Sequence, residues 1–371
     1  MSTESSGGPG LASISLPSRR AEPGEGITTE ELSLAARNHA LPAEALRWEI
    51  TPPGLHYVLT HYDIPAADPA SWAIAVTGQV DRERLLSLED LAAMEQHTVR
   101  VTMECAGNGR AQVQPRPLSQ PWINGAVGTA DWSGVRLTDV LADAGVADDA
   151  VDVVFRGADH GVERGVEQDY ERALSVRYAE AADVLLATGM NGQPLPPQHG
   201  FPVRLVVPGW YGMASVKWLR EIRVIDHEFE GFQHQAYRVR THQDDVGTPI
   251  TQIEPRALIS PPGFPDFMSR DRVVEAGPTE IRGRVWSGWG PVTQVEFSPD
   301  DGQTWSDCTM HAGNGAYAWF AFSIVWEATP GLARLRVRAT DATGRVQPLE
   351  PVTTLGGFTN NADEPVVALV R

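Results

Sequence analysis

The sequence predicts two domains in series, a loop-rich α+β domain followed by a β-sandwich of immunoglobulin type. Three observations carry this expectation. The 371 residues exceed the roughly 250–300 at which a single hydrophobic core stops growing. Between about residues 46 and 245, strand-like and helix-like words alternate with glycines spaced among them. After Ile259-Ser260-Pro261-Pro262-Gly263-Phe264-Pro265 the helical pattern gives way to period-two alternation. The expected division is a disordered tail over 1–26, the α+β domain over 27–250 and the sandwich over 260–371.

Residues 1–26 are rich in Ser, Gly, Pro and Glu and lack periodicity, hence the tail. From Thr28, a Thr-Thr-Glu-Glu start with Leu32, Leu34 and Ala35 behind it predicts a short helix or an irregular arm. Residues 72–76 read as a strand, and Ser87-Leu88-Glu89-Asp90 opens a helix with a capping-box pattern. Thr138-Asp139-Val140-Leu141 opens another, stopped at Gly145. Residues 151–155 and 203–207 add core strands, with Gly157, Gly161, Gly192, Gly200, Gly209 and Gly212 expected in the loops between. In the second domain Ile281, Gly283 and Val285 alternate with Glu280, Arg282 and Arg284. Asp300-Asp301-Gly302 supplies a turn, and Leu335, Val337 and Ala339 lead to another at Asp341-Ala342-Thr343-Gly344. Cys308 is expected to pack within a strand of that domain.

Lys plus Arg number 30 against 48 Asp plus Glu, a formal charge of -18. That balance excludes nucleic acid and anionic membrane as principal partners and confines any anion site to a local basic pocket. Cys105 and Cys308 are too few and too far apart for a disulfide framework, which suits a reducing cytoplasm. The first residues lack a basic start followed by an apolar core, and no apolar run approaches the ~20 residues of a membrane span. The expectation is a cytoplasmic protein. No Cys-x-x-Cys-His word is present, so no c-type haem is expected.

Val99, Val101 and Met103 alternate along one strand face, which Cys105 continues into Ala106-Gly107-Asn108-Gly109-Arg110. Gly107 and Gly109 permit close backbone approach, and Arg110 is expected to depress the thiol pKa. A thiolate placed this way serves as a nucleophile or as a soft-metal ligand; a lone buried cysteine also packs inertly in many proteins.

The surrounding words carry a resemblance. Glu104-Cys105-Ala106-Gly107-Asn108-Gly109-Arg110 resembles the molybdenum-ligand segment of the sulfite oxidase family of molybdopterin enzymes. Met190-Asn191-Gly192-Gln193-Pro194-Leu195-Pro196, His199-Gly200-Phe201-Pro202-Val203-Arg204 and Ser215-Val216-Lys217-Trp218-Leu219 follow in that family's order. The likeness runs from about Ile50 to about Pro348. It implies molybdenum-molybdopterin as cofactor, without haem in this chain, and a second domain through which a homodimer forms.

By this resemblance Cys105 is the molybdenum ligand. A thiolate suits a soft metal held with other positions open. Arg204, Ser215, Val216 and Lys217 face the pterin phosphate, for which guanidinium, ammonium and backbone N–H groups are the fitting donors. His199, Asp159, and Tyr57, Val58, Leu59, Thr60 and His61 complete the cofactor site, with Asp159 expected in a loop. Arg110, Trp122 and Tyr237 are the expected substrate contacts. His227, His234 and His242 do not have the spacing of a compact zinc site, and Asp244-Asp245 reads as a solvated loop.

One departure stands out. Leu59 occupies the place where sulfite oxidases carry a substrate-binding arginine, and Thr60 replaces an asparagine. A lost charge-assisted hydrogen bond costs about 1.5–3 kcal/mol, or about 10–100-fold in affinity. The implied activity is oxidation of sulfite to sulfate, with electrons passed to an external acceptor. The alternatives are reduction of S-oxides or N-oxides on the same cofactor, which Leu59 suits by making the pocket less cationic, and a non-catalytic cofactor-binding dimer scaffold.

Overall fold

The computed structural model describes residues 10–11, 26–181 and 183–371, so the expectation for the tail falls almost wholly outside the described residues. The N-terminal arm is helix α1 (Thr29–Arg37), closed at its start by a capping box between Thr28 and Glu31. Its inward anchor is not the leucines. Leu32 is exposed, while Glu31 is fully buried against Arg116 at 2.6 Å. A charge pair formed with a distant loop thus overrides the apolar spacing.

The first domain holds two sheets. One has the order β2-β1-β10-β5-β6 and is built from β1 (Ala73–Gly78), β2 (Arg84–Ser87), β5 (Asp152–Glu163), β6 (Val166–Ser175) and β10 (Leu219–Ile225). The other joins β3 (His97–Glu104), β4 (Val127–Arg136), β7 (Leu185–Met190) and β8 (Gln193–Pro194), with β9 (Arg204–Val206) also on β7. Helix α2 (Leu88–Ala93) starts at the Ser87 capping box, and α3 (Leu137–Ala144) ends at Gly145, whose φ of 74° is the left-handed stop the sequence predicts. Helices α4 (Val176–Ala181) and α5 (Phe232–Ala236) are short, and β11 (Arg238–Val239) pairs with β12 (Thr248–Pro249). Gly157, Asp159 and Gly161 lie within β5 rather than in loops, the first two inside a register shift between Arg156 and His160 and Gly161 just past it. A bulge has the turn residues of a loop yet keeps the strand running.

The second domain is a sandwich. Strands β13 (Arg256–Ser260), β16 (Gly277–Trp286), β20 (Phe320–Ala328) and β19 (Thr309–Met310) face β14 (Phe264–Pro265), β15 (Arg272–Val274), β22 (Val366–Val370), β21 (Gly331–Asp341), β17 (Val292–Ser298) and β18 (Ser306–Asp307). Ile281, Val285, Leu335, Val337 and Ala339 meet in one core, as their alternation predicts. Arg284 departs from its outward expectation: it is buried because Nε donates to the Leu46 carbonyl of the N-terminal arm. Cys308 sits between β18 and β19 rather than in a strand, packed against the sandwich core.

The two domains are joined by a buried charge pair. Arg256 Nε lies 2.9 Å from Glu104 Oε1, an ionic contact with both side chains 1% exposed. Trp286 donates Nε1–H to the other oxygen of Glu104 at 2.8 Å, and Asn108 donates Nδ2–H to Oε1 at 2.9 Å. Arg256→Ala strands the Glu104 carboxylate, and urea denaturation is expected to show a loss of about 3–5 kcal/mol. Glu104→Gln combined with Arg256→Met removes both charges and is expected to lose less.

Candidate functional site

A cleft is lined by Met103 and Cys105 at the end of β3, Asp159 of β5 and Arg204 of β9. The segment around residues 56–61, the turn carrying Ser215 and Lys217, and Tyr237 complete its walls. Cys105 follows β3 on the face of Val101 and Met103 and packs with them, so the strand aims its thiol inward. Burial pushes the thiol pKa up, although Arg110, the Gly107 N–H and Trp122 pull it down. The expected depression is therefore reversed: with nothing bound, desolvation outweighs the guanidinium, and a thiolate here needs a cation closer than Arg110.

Away from Cys105, the cleft is cationic. Arg204 is fully buried and donates Nη1–H to the His199 carbonyl and Nη2–H to that of Ser215, both at 3.0 Å, with its guanidinium over Trp132. Lys217 Nζ donates to the carbonyls of Leu59 at 2.8 Å and Gln198 at 3.2 Å. Trp218, at φ 50°, is held left-handed directly after it with its ring 4.3 Å from Nζ, which fixes the turn that presents the lysine. Neither cation forms an ion pair among the described residues. Burial and Arg204 push Lys217 down to about 7, with Asp159 opposing. Burial raises Asp159 to about 6 against the pull of Lys217, and its Oδ1 has no hydrogen-bond partner. Gly157 is required beside it, since a Cβ there would collide with that carboxylate.

Several predicted residues take places other than the cleft wall. Val58, Leu59, His61, His199, Ser215 and Tyr237 line it, with Tyr57 beside them. Ser215 spends its oxygen on the Val207 N–H at 3.1 Å. Thr60 and Val216 are buried off the wall, Thr60 held through its N–H to Asn38. Trp122 packs behind Cys105, edge-on to Tyr57 at 6.4 Å. Arg110 also stands back: Nε donates to the Gly356 carbonyl at 2.9 Å and Nη1 to that of Gln120 at 3.0 Å, and Nη2 has no hydrogen-bond partner among the described residues. Tyr237 and His61 meet through the phenol oxygen and Nε2 at 2.8 Å. Burial lowers His61 to about 3 and His199 to about 2, so both rings are neutral at pH 7, and it holds the Tyr237 phenol protonated.

The lining residues His56 and Tyr170 escape the sequence reading, as do Gln198 and Met213. His56 is completely buried, edge-on to His199 at 5.3 Å, with an unpartnered Nε2. The only sequence signal was its place next to Tyr57. Tyr170 packs on His61 at 4.9 Å and donates its hydroxyl to the Met213 carbonyl, and nothing in β6 marked it as different from an ordinary buried strand residue.

Comparison with known proteins gives a consistent result. Residues 61–233 match the oxidoreductase molybdopterin binding domain, and residues 249–363 match the Mo-co oxidoreductase dimerisation domain. Mouse mitochondrial sulfite oxidase is 34% identical over 84% of this chain and 60% of its own length, so the chain spans about three-fifths of that relative. Chicken sulfite oxidase is 34% identical over 86% of this chain and 73% of its own. A barley nitrate reductase is 35% identical over 84% of this chain and 38% of its own. The crystal structure of the sulfane dehydrogenase SoxCD from Paracoccus pantotrophus shares the fold, with a TM-score of 0.76, 24% identity and coverage of 97% and 96%.

The residues present fit molybdopterin. Buried Arg204, held by carbonyls and the Met103 thioether, and partly buried Lys217, held by carbonyls, share the cleft with the unpartnered polar atoms of His56 and Asp159, an environment suited to an anion with further hydrogen-bonding groups. In the cofactor-free protein Lys217 carries its charge below pH 7 and loses it above. Calorimetric titration with sulfate, whose own charge is fixed, is expected to show affinity falling as pH rises from 7 to about 9. Lys217→Arg is expected to flatten that slope.

Proposed function

This chain belongs to the sulfite oxidase family of molybdopterin oxidoreductases, and on that premise we propose that it oxidises a small sulfur oxyanion, with sulfite as reference substrate, and passes the electrons to an external acceptor. The observation that carries this reading is Cys105, a thiol aimed by β3 into a cleft whose other wall is an unpaired cationic site.

Molybdenum-molybdopterin, when bound, supplies a two-electron centre for oxygen transfer. The protein's part is to place and polarise. Arg204 and Lys217 would hold the phosphate, the latter with the one ammonium hydrogen not given to a carbonyl. Cys105 would hold the metal on the rigid end of β3. Arg110, just behind the wall, would offer Nη2 to the oxyanion, and its two hydrogen bonds to carbonyls keep the guanidinium from swinging away. The Tyr237 hydroxyl, protonated and oriented by neutral His61, is available as a hydrogen-bond donor. Residues 249–363 support assembly as a homodimer.

Sulfite-dependent reduction of ferricyanide, measured per bound molybdenum, is expected to proceed in the wild-type protein. Negligible turnover in fully loaded protein would instead favour the oxide-reductase reading, which the apolar Leu59 at the cleft wall suits. Cys105→Ser is expected to retain the pterin and lose turnover by at least about 100-fold; a fully active variant would remove the assignment. Light scattering is expected to give twice the 40.3 kDa chain mass.

A further inference from the structure

The region around Cys105 is more apolar than a site for a fully oxygenated dianion requires. Leu59 lines the cleft and packs on the cluster formed by Tyr57, Cys105 and Trp122, its backbone fixed by the bond from Lys217 to its carbonyl. From the second domain comes Phe358, whose ring sits 5.1 Å from that of Tyr237 and 5.0 Å from the guanidinium of Arg110. The Phe358 turn is held by its N–H to Thr354 Oγ1 at 3.2 Å, and Gly357, at φ 57°, lets that turn press on Arg110. Phe358 thus borders both Arg110, which stands just behind the cleft wall, and Tyr237, which lines it, while Leu59 and Trp122 belong to the same apolar cluster as Cys105.

We propose that the substrate is an organic sulfinate, whose single negative charge is met by Arg110 while its carbon substituent lies against Leu59 and Phe358. This rests on the oxidoreductase reading above and narrows its substrate class. Sulfite has no apolar surface to place there and presents up to two charges to one free guanidinium nitrogen. The reaction balances as R–SO₂⁻ + H₂O → R–SO₃⁻ + 2 H⁺ + 2 e⁻. One S–O bond forms with oxygen derived from water, sulfur is oxidised by two electrons, and a one-electron oxidant such as ferricyanide takes them in two steps.

The test uses cofactor-loaded protein with ferricyanide and either sulfite or benzenesulfinate. The kcat/KM for benzenesulfinate is expected to exceed that for sulfite by at least about 10-fold, and Leu59→Arg to reverse the order. Phe358→Ala is expected to lower benzenesulfinate turnover by roughly 5–10-fold, and by more than it lowers sulfite turnover. A wild-type protein that prefers sulfite would overturn the proposal and leave the oxidoreductase reading standing. Calorimetry on the same loaded protein reads the site without turnover. Benzenesulfonate is expected to bind more tightly than sulfate, and the reverse order would overturn the proposal even if neither substrate reacts. Absence of turnover on both substrates would count against the oxidoreductase reading, and the binding order would still decide for or against an organic anion site.

Discussion

The buried pair of Glu104 and Arg256 is the constraint on which the site depends. Glu104 directly precedes the thiol, and its two oxygens are taken by Arg256, Trp286 and Asn108, two of which come from the sandwich. Asn108 in turn accepts from the Ala126 N–H through its Oδ1, tying the turn after Cys105 to β4. Buried ion pairs of this kind add little net stability compared with a well-packed apolar substitute, since desolvation offsets the attraction. Their effect is positional: each remaining partner is costly to leave unpaired, so only one arrangement of the turn satisfies all of them. The thiol thereby inherits a fixed place from contacts that the second domain makes with Glu104, the residue before it.

The cationic end of the cleft follows the opposite logic. Arg204 is buried like Arg256 and Lys217 is partly buried, but they face carbonyl oxygens and no carboxylate among the described residues. Carbonyl dipoles satisfy donors without cancelling charge, so the positive potential survives in the cleft. Burial then lowers the pKa of Lys217 and raises that of Asp159, each moving toward its neutral form. An anionic ligand reverses the first of these tendencies, because it restores the ammonium. The same side chains that weaken the empty protein are those an anion would stabilise, which is the usual signature of a binding surface as opposed to a structural one.

What the sequence made legible was local. The capping boxes at Thr28 and Ser87, the stop at Gly145 and the alternation of Leu335, Val337 and Ala339 depend on residues within a few positions of one another. The inward aim of Cys105 was legible for the same reason, as a period-two continuation of β3. The failures share a different cause. Glu31 became the buried face of α1 because Arg116, 85 positions away, was there to meet it. The thiol pKa rose because burial is a property of the assembled cleft, where the adjacent cation is only one contribution. Asp159 looked like a loop residue because glycines at 157 and 161 mark turns and bulges alike.

The placement of Arg110 shows why site chemistry in this chain cannot be divided between its domains. Its Nε hydrogen bond goes to Gly356, 246 positions along the chain, and its guanidinium rests on Phe358 of the same turn. Without that turn, a guanidinium one residue past a left-handed glycine, Gly109 at φ 83°, would have solvent and many rotamers available. With it, two of its donors are spent on carbonyls, and the direction of the third nitrogen is set by the second domain. The setting of Arg110 is therefore a joint property: the turn after β3 supplies the charge, and the C-terminal turn supplies a carbonyl partner and an apolar border. A change in Phe358 should consequently alter which anion is accepted, leaving the cationic wall at Arg204 and Lys217 as it was.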